Sequence, residues 1–461
     1  MQKKYTNSMN KTRLNSISIV GGAFGDEGKG KVVDEITNKL VNRFGNAIVY
    51  RWSGGSNAGH TVEIQNKKIV LHQIPSGAMV EGALCVLGKG MVLHPGDLVE
   101  EIKSISEGKR SLNIMIDEMA TLCLDTHRAF ETMLKKREEG WGASTGRGIS
   151  PAYADILYRT PLKGRDLLSK DWKAKFEKHY LLYKDFVKGL GGELSKIEVN
   201  SLHGPVAVGN INDFIKKLSN ERDFLFTSIK NVYDFIKDNW NSKTPFIFEG
   251  AQGVGLDYRW GVYPDITAAD PTPSGIFAST EGIIASEEIE IRANVYKATY
   301  MSSVGKRILP SKMESNLVER IRNDANEYGA TTGRPRDIYH VDIPALAYYA
   351  RVTNATHMIL THMDVCYKDL EFKICVNYKN KSGTIVDYRP DQKFLDKIMP
   401  IYQEISAWNG NDIKNVADFN LVPDKAKKYI QYLSDKLKLK CLMITTGPER
   451  DSVIENNCLL L

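Results

Sequence analysis

A glycine-rich turn between a predicted strand and a predicted helix constrains the fold of this chain more than any other feature. Residues 16–20 alternate small and β-branched residues and predict a strand. Residues 21–30 contain five glycines, and residues 31–40 have apolar residues at helical spacing. A strand, a glycine-rich turn and a helix in that order open the α/β folds that bind nucleotides. The order therefore predicts an α/β fold with a phosphate-binding turn.

Four later strands are predicted, and each leads into a turn that carries glycine or polar residues. They span residues 47–52, 245–248, 358–361 and 442–444. In open α/β sheets, ligands bind at the carboxyl ends of the strands. We therefore predict one large mixed, mostly parallel sheet flanked by helices, similar to the sheet of phosphate-loop NTPases.

The domain organisation follows from changes in composition along the chain. Residues 1–15 are polar and carry four cationic side chains, which predicts a disordered basic extension. Residues 16–461 show no internal repeat and no low-complexity tract, so we expect a single domain. Residues 167–239 are rich in Lys, Glu, Phe and Leu and poor in glycine, which predicts a helical insertion in that domain.

Charge, hydropathy and cysteine usage exclude several classes of protein. The 62 Lys and Arg against 56 Asp and Glu give a net charge of +6, which suits anionic small molecules but is too weak to indicate nucleic acid. No run of 18 apolar residues predicts a membrane span. The six cysteines form no CxxC pair, so we expect buried, reduced thiols and a cytoplasmic protein.

Residues 25–32 nearly satisfy the phosphate-loop pattern GxxxxGK[ST], in which backbone N–H groups surround phosphate oxygens. Val32 stands where a Ser or Thr hydroxyl would bind Mg²⁺, and Asp26 within the loop offers a carboxylate in its place. Taken alone, such a pattern after a strand is about as often a plain tight turn.

Other motifs accompany this loop in a fixed order along the chain. They lie at residues 25–31, 56–61, 71–77, 144–149, 151–153, 248–253, 329–334 and 446–450. Together they cover roughly residues 16–455 and resemble the adenylosuccinate synthetase family. The resemblance implies that IMP, L-aspartate and GTP form adenylosuccinate with the help of Mg²⁺, in a homodimer.

The resemblance assigns the reaction centre to both glycine-rich turns. Asp26 is expected to take the N1 proton of IMP and to bind Mg²⁺, and His60 to act as the acid. Lys29 can reach a phosphate or the 6-oxygen, and the backbone of Gly59 matches a Mg²⁺ ligand. Outside this paired pattern, Asp26 would be interpreted as a helix cap and His60 as a turn histidine.

The remaining IMP contacts are also implied by the resemblance. Arg159 is expected to reach the IMP of the partner subunit, although from the sequence alone it could equally be a surface arginine. Besides Asp26, Lys29 and His60, the residues matched to IMP are Asn57, Ala58, Thr145, Arg159, Gln252, Leu256, Thr267 and Arg334.

Two further groups of residues are matched to L-aspartate and to GTP. Asp364 is expected to accept hydrogen bonds from the guanine N1–H and 2-amino group, which adenine does not offer in that arrangement. The aspartate loop comprises Ala330, Thr331, Thr332, Gly333 and Arg334. The GTP-binding residues are Gly25, Asp26, Glu27, Gly28, Lys29, Gly30, Lys31, Gly59, His60, Thr61, Arg336, His362, Met363, Asp364, Thr445, Thr446 and Gly447.

Several positions depart from the family pattern. His362 stands where Lys is usual beside the guanine, and Ser53 stands where Gln is frequent. Residues 303–312 and 337–340 differ strongly from the expected runs. One alternative is therefore a ligase of the same family that takes another purine, such as a guanine nucleotide, or ATP as donor. A known branch of that kind lacks the loop carboxylate, whereas Asp26 is present here.

Two alternatives belong to other functional classes. A guanine-nucleotide switch or binder would require Ser or Thr after the loop lysine and a complete Asn/Thr-Lys-x-Asp motif, and Val32 and His362 fail these requirements. A catalytically inactive homologue is disfavoured because Asp26, Lys29, His60 and Arg334 are intact.

Overall fold

The computed structural model describes residues 16–64, 67–106, 112–137, 144–303, 305, 307–313, 316–329, 333, 335–370, 372–414 and 416–456. Strands and helices are numbered below in chain order. The strands are β1 Ser16–Gly21, β2 Ala47–Arg51, β3 Gly54–Gly55, β4 His60–Ile64, β5 Lys67–Leu71, β6 Ala83–Leu87, β7 Met91–Leu93, β8 Ile114–Asp117, β9 Thr121–Leu122, β10 Glu198–Ser201, β11 Gly204–Ala207, β12 Ile229–Lys230, β13 Phe246–Gly253, β14 Ile291–Lys297, β15 Met301–Ser303, β16 Asp337–Tyr339, β17 His357–Thr361, β18 Lys373–Lys379, β19 Ile385–Val386, β20 Met399–Glu404, β21 Lys440–Thr445 and β22 Val453–Glu455.

Ten strands of the described ranges form one large sheet, in the order β12-β8-β6-β2-β13-β1-β14-β17-β21-β22. All neighbours pair in parallel except β22, which runs antiparallel to β21 at one edge. Every residue of β1 and β2 is buried, as expected for parallel strands covered on both faces. The predicted fold class, a mostly parallel α/β sheet flanked by helices, is confirmed.

The helices that cover this sheet are amphipathic, and none in the described ranges is long and apolar enough to cross a membrane. In the first helix, Val33, Ile36 and Leu40 recur at helical spacing and are buried. The α-helices are α1 Lys29–Phe44, α2 Pro95–Ser106, α3 Asp125–Arg137, α4 Ile149–Tyr158, α5 Gly164–Leu168, α6 Trp172–Gly189, α7 Ile211–Leu225, α8 Tyr233–Asn241, α9 Ser274–Ser279, α10 Asn316–Asp324, α11 Ile343–Val352, α12 Gln392–Leu395 and α13 Asp424–Leu437.

The boundaries of two predicted elements differ from the structure. The helix predicted at residues 31–40 begins at Lys29, so the loop lysine lies in its first turn. The strand predicted at residues 245–248 continues to Gly253, where the register between β1 and β13 shifts. A Cβ atom on Gly253 would lie 2.5 Å from the Ala23 carbonyl oxygen, so the glycine permits β13 to pass directly beside the phosphate loop.

Residues 167–239, which the sequence indicates as helical, contain most of helices α6, α7 and α8 and also the antiparallel hairpin β10–β11. Trp172, Phe176 and Tyr183 of α6 are buried in a common core with residues of the preceding chain. The segment then returns to the main sheet, because β12 pairs in parallel with β8.

Candidate active site

The turn between β1 and α1 brings backbone N–H groups and a carboxylate together at the end of the central strand. Gly25, Asp26 and Gly28 have positive φ angles of 95°, 58° and 87°. This left-handed backbone is readily adopted by glycine and is tolerated by aspartate. The Asp26 side chain is 34% exposed and stands at the open side of the turn.

Glu27 occupies the inside of the same turn. Its Oε1 accepts hydrogen bonds from the backbone N–H groups of Ala23 (3.2 Å) and Gly25 (2.8 Å), and its Oε2 accepts one from Lys29 Nζ (3.0 Å). Glu27 and Lys29 are both buried. In this structure a carboxylate of the chain therefore satisfies donors that a phosphate group would also satisfy.

Lys31 connects helix α1 to the segment that follows strand β21. Its Nζ donates to the carbonyl oxygens of Gly447 (2.5 Å) and Ser452 (2.8 Å), beyond the end of β21. Burial lowers the pKa of Lys31 to about 8, and Asp364 is the strongest of the carboxylates that oppose this shift. The lysine thus joins the predicted phosphate and guanine ends of the site.

Arg336 bridges two carboxylates at the mouth of the phosphate loop. Its Nη2 forms an ion pair with Asp26 Oδ2 (2.6 Å), and its Nη1 donates to Glu327 Oε2 (2.7 Å). Although burial alone would lower it, the pKa of Arg336 is raised by these two carboxylates. The first glycine loop and the segment that follows residue 333 therefore meet through this arginine.

His60, at the start of β4, is held by a carboxylate of β13 in the main sheet. Its Nδ1 is hydrogen-bonded to Glu249 Oε1, and Ser76 donates to both oxygens of Glu249 through Oγ and its backbone N–H (2.7 Å each). Arg51 is fully buried and is the register partner of Glu249 in the β2–β13 ladder. Glu249 thus fixes the orientation of the imidazole ring, because both of its oxygens are engaged.

The surroundings of this pair set the charge of the imidazole. Burial lowers the pKa of His60, the Glu249 carboxylate opposes the shift, and the charges of Arg51 and Lys29 reinforce it. Burial would raise the pKa of Glu249, yet His60 and Arg51 hold it below its ordinary value. The geometry is that of a histidine–carboxylate pair that can carry or release a proton at Nε2.

Two buried amides near His60 have polar atoms without a hydrogen-bond partner among the described residues. They are Asn57 Oδ1 and both terminal atoms of Gln252, whose backbone has a φ of 56°. A Cβ atom on Gly54 would lie 3.6 Å from Gln252 Oε1, so the second glycine turn passes close to this amide. Buried polar atoms without partners are rare in folded proteins, and a bound polar ligand is one way to satisfy them.

The other residues matched to IMP lie on three segments. Leu256 and Thr267 are buried and adjacent, since the Thr267 N–H donates to the Leu256 carbonyl oxygen (2.6 Å). The Ala58 carbonyl oxygen accepts from His72 Nδ1 (2.6 Å). Thr145 is exposed, and so is Arg159, which ends α4 in a left-handed conformation with a φ of 63°.

The predicted base-binding residues come from the ends of β17 and β21. The Met363 N–H donates to the Thr445 carbonyl oxygen (3.0 Å), which joins the two strand ends. The Met363 side chain is fully buried in the core, whereas Asp364 is half-buried. Burial raises the pKa of Asp364, and Lys414 and Lys31 oppose that shift. Thr446 Oγ1 is buried and has no partner among the described residues.

His362, a departure from the family pattern, takes part in the hydrogen bonding around Glu327. Its backbone φ is 56°, and its Nδ1 lies 3.2 Å from the Tyr300 hydroxyl, which donates to Glu327 Oε1 (2.6 Å). Burial, with the nearby Lys297 charge, lowers the pKa of His362 to about 4. The ring is therefore neutral at physiological pH.

The predicted aspartate loop lies largely outside the described residues: of its members only Gly333 is described, and Ala330, Thr331, Thr332 and Arg334 are not. The described residues that flank this loop contact each other. Tyr328 and Pro335 form an isolated antiparallel bridge, and the Arg336 N–H donates to the Glu327 carbonyl oxygen (3.0 Å). The described residues on the two sides of this segment are therefore paired with each other, and Arg336 connects them to Asp26.

A buried cluster elsewhere has the composition of a metal site. His127, Asp155 and His179 lie within 4.8 Å of one another, with His127 Nε2 3.0 Å from Asp155. However, His127 Nδ1 accepts a hydrogen bond from the Leu124 N–H (2.9 Å), so its proton is on Nε2, the atom a metal would need. The cluster is better explained as a hydrogen-bonded core, and nitrogen ligands do not suit Mg²⁺.

Comparison with known proteins assigns the family. The family model described as adenylosuccinate synthetase matches residues 18–454. The chain belongs to the adenylosuccinate synthetase family. It is 34% identical over 442 residues to the adenylosuccinate synthetase of Caldicellulosiruptor saccharolyticus (95% of this chain, 98% of the relative). It is 32% identical over 444 residues to that of Thermodesulfovibrio yellowstonii (96% and 99%).

Solved structures agree with this membership. A fully ligated adenylosuccinate synthetase from Plasmodium falciparum superposes with a TM-score of 0.84 at 27% identity, over 96% of this chain and 100% of that one. A succinoaminodeoxyadenylate synthetase from cyanophage S-2L, solved with dGMP and with dATP as energy donor, gives 0.57 at 15% identity over 97% of both chains, which shows a shared fold. As a member of the adenylosuccinate synthetase family, the chain is a nucleotide-binding ligase of AMP biosynthesis.

Several residues of the site were not predicted from the sequence. Glu249, Arg51, Glu327 and Lys297 carry no assigned role in the sequence interpretation. Glu249 contacts His60 and Glu327 contacts Arg336, while Arg51 pairs with Glu249 in the sheet and Lys297 forms an ion pair with Glu327. Glu249 offered one signal, since a carboxylate at the end of an apolar strand inside a recognised motif is unusual. The other three contacts depend on distant parts of the chain.

Proposed function

We propose that this protein is an adenylosuccinate synthetase that joins L-aspartate to IMP at the expense of GTP. GTP phosphorylates the 6-oxygen of IMP, and the aspartate amine then displaces phosphate, which leaves adenylosuccinate and GDP. The observation that carries the proposal is the meeting of a phosphate loop that contains Asp26, the His60–Glu249 pair and Arg336 beside the neighbouring strands β1 and β13.

In the first step, Asp26 takes the N1 proton of IMP, so that negative charge builds on the 6-oxygen. The partial exposure of Asp26 at the mouth of the loop suits contact with a substrate. Lys29, at the helix N-terminus, stabilises charge on the transferring phosphoryl group or on the 6-oxygen. His60 donates a proton from Nε2 toward the developing anion while Glu249 holds Nδ1.

Mg²⁺ would be held by the Asp26 carboxylate and the Gly59 carbonyl oxygen, both of which are the hard oxygen ligands that this ion prefers. When bound, it would neutralise charge on the GTP phosphates. Val32 offers no hydroxyl at the position that usually binds the ion in phosphate loops, which makes the carboxylate within the loop the natural replacement.

The amides of Asn57 and Gln252 would bind IMP, which gives their buried, unpaired atoms a partner. Leu256, Thr267, Ala58 and Thr145 would complete that site. For L-aspartate we propose Thr331, Thr332 and Arg334, since a forked guanidinium suits a carboxylate. Asp364, with residues 445–447, would recognise guanine.

Arg159 would enter the IMP site of the second subunit in a homodimer. It is exposed at the end of α4, directly after Leu157 and Tyr158, whose side chains are 83% and 70% exposed. Large apolar side chains this exposed beside a cation suit a protein interface. We propose a cytoplasmic location, because the five described cysteines are buried free thiols, which suits a reducing compartment.

The decisive experiment is an assay of the purified protein with IMP, L-aspartate and Mg-GTP, followed by separation of the nucleotide products. We expect adenylosuccinate at a turnover of roughly 1–10³ s⁻¹, and turnover lower by at least about 10²-fold in the Asp26→Asn variant. A folded wild-type protein that makes none would contradict the proposal.

A second candidate, a ligase with a shifted purine or donor, is favoured by one observation: a neutral His362 stands where the resemblance to the family leads us to expect a lysine. The same assay with ATP as donor, and with GMP in place of IMP, tests it. Faster turnover with either nucleotide than with GTP and IMP would support the shifted preference.

A further inference from the structure

Glu327 lies behind Arg336 and is almost completely buried. One carboxylate oxygen, Oε2, accepts from Arg336 Nη1 (2.7 Å). The other, Oε1, accepts from Tyr300 (2.6 Å) and forms an ion pair with Lys297 Nζ. The Glu327 and Lys297 side chains are 1% and 3% exposed. Lys297 also donates to Ser302 Oγ (2.6 Å), so each side chain of this group has a fixed orientation.

The two contacts of Arg336 differ in how easily a ligand can replace them. Glu327 binds Nη1 from the interior, whereas Asp26 binds Nη2 at the surface with a side chain that is 34% exposed. Because the contacts use different nitrogens, Nη2 can leave Asp26 for another anion while Nη1 stays on Glu327. An ion pair with Lys297 needs only Oε1 of Glu327. It does not account for the contact between Oε2 and Arg336.

We propose that Glu327, supported by Lys297, is a positioning residue of the nucleotide-donor site. It holds the Arg336 guanidinium at the mouth of the phosphate loop, so that Nη2 passes from Asp26 to a phosphate of the donor and leaves the Asp26 carboxylate available. This inference rests on the proposed function, since it takes a nucleoside triphosphate as the ligand. It assigns donor binding to two buried residues that need not touch any substrate.

The test is the Glu327→Gln variant, which keeps the shape of the side chain and removes its charge. Titration calorimetry with Mg-GTP alone should give a dissociation constant at least about tenfold higher than that of the wild type, the scale of a lost hydrogen bond between charged groups. In the turnover assay the KM for GTP should rise by a similar factor, while the KM for IMP stays within about twofold of the wild type.

Two further variants separate positioning from a general loss of structure. Because Glu327→Gln leaves Lys297 buried without its partner, Lys297→Met/Glu327→Gln removes both charges and should fold while it shows the same rise for GTP. Asp342→Asn is the matched control: Asp342 is a fully buried carboxylate bound to Tyr378 and Ala345, outside this group.

We expect wild-type GTP affinity from Asp342→Asn. The inference is overturned if both Glu327 variants bind Mg-GTP as the wild type does, or if the KM values for GTP and IMP rise together. A wild-type protein that binds Mg-GTP but forms no adenylosuccinate would contradict the proposed function and leave the binding comparison intact. A wild-type protein that binds no GTP would contradict both.

Discussion

His60 and Glu249 lie 189 positions apart in the sequence and share a hydrogen bond between Nδ1 and Oε1. The histidine begins β4 and the glutamate lies in β13, so the pair exists only once the central sheet is assembled. With one nitrogen bound to a buried carboxylate, the imidazole presents the other nitrogen to a ligand. In the proposed mechanism, this arrangement orients the general acid without exposing the carboxylate to water.

We expect His60→Asn to lower turnover by at least about 10²-fold, the usual scale of a lost acid or base. Glu249→Gln should cause a smaller loss, because the ring remains but loses its charged partner. Steady-state rates at saturating IMP, L-aspartate and Mg-GTP measure both effects. His94→Asn is a suitable control, since His94 forms a similar buried pair with Asp125 (3.0 Å) outside the site. Near-normal turnover of His60→Asn would refute its role.

Asp26→Asn should lower turnover at least about 10²-fold, because the N1 proton of IMP loses its acceptor. Binding of GTP in the absence of divalent cations should respond differently. In the rearrangement proposed above, the wild type breaks the Arg336–Asp26 ion pair (2.6 Å) when phosphate binds, whereas the variant has no such ion pair to break. The dissociation constant of metal-free GTP should therefore be equal or lower in the variant. A variant that retains turnover would show that another group takes the proton.

The affinity for Mg-GTP should fall as the pH rises above about 8, where Lys31 loses its proton. Below that pH, Lys31 is charged both before and after phosphate binds, so its contribution to the affinity does not change with pH. Above it, binding must take up a proton, and affinity should fall up to about tenfold per pH unit. Calorimetric titrations between pH 7 and pH 9.5 measure this. Lys31→Arg should remove the pH dependence of the affinity. A pH dependence that persists in Lys31→Arg would show that another group titrates.

Asp364→Ala should weaken the use of GTP and reduce discrimination against ATP, because guanine loses the acceptor that distinguishes it. The ratio of kcat/KM for GTP to that for ATP is the measurement. Asp369→Ala, a change at a largely exposed carboxylate nearby, should leave the ratio unchanged. If the ratio is also unchanged in Asp364→Ala, the base is recognised by other residues.

Mixing two inactive variants tests the proposed dimer. An Arg159→Ala subunit retains its own Asp26, and an Asp26→Asn subunit can supply Arg159 to its neighbour. A mixed dimer should therefore contain one complete site of two. If subunits exchange at random, half of the dimers are mixed, so activity should recover to about one quarter of the wild-type value. Without recovery after verified exchange, Arg159 does not serve the partner subunit.

The strands, the glycine loops and the first helix could be predicted because they depend on local patterns. Ser16–Gly21 is an apolar strand that ends in glycine, and α1 repeats buried apolar residues at helical spacing. The continuation of β13 through Gly253 was missed, because glycines after a strand indicate a turn unless a neighbouring chain requires their small size. The local sequence pattern does not show which segment of the chain will pack against these glycines.

The contacts between predicted site residues could not be derived from sequence spacing. The Arg336 contact with Asp26 joins segments whose distance along the chain carries no information on their proximity. No sequence motif marks Glu327, although it is buried: burial raises its pKa, and Lys297 and Arg336 more than offset that effect. The buried group of His127, Asp155 and His179 likewise arises from three separate helices.

The position of β1 in the sheet also bears on how the protein is made. Among the strands of the described residues it leaves the ribosome first, yet its neighbours β13 and β14 begin only at Phe246 and Ile291. At about 5–20 residues per second, it waits roughly 10–50 s for them. During that time its apolar segment has unpaired edges that other chains could bind. Nascent chains should therefore depend on chaperones until β14 is synthesised, and shorter fragments should aggregate.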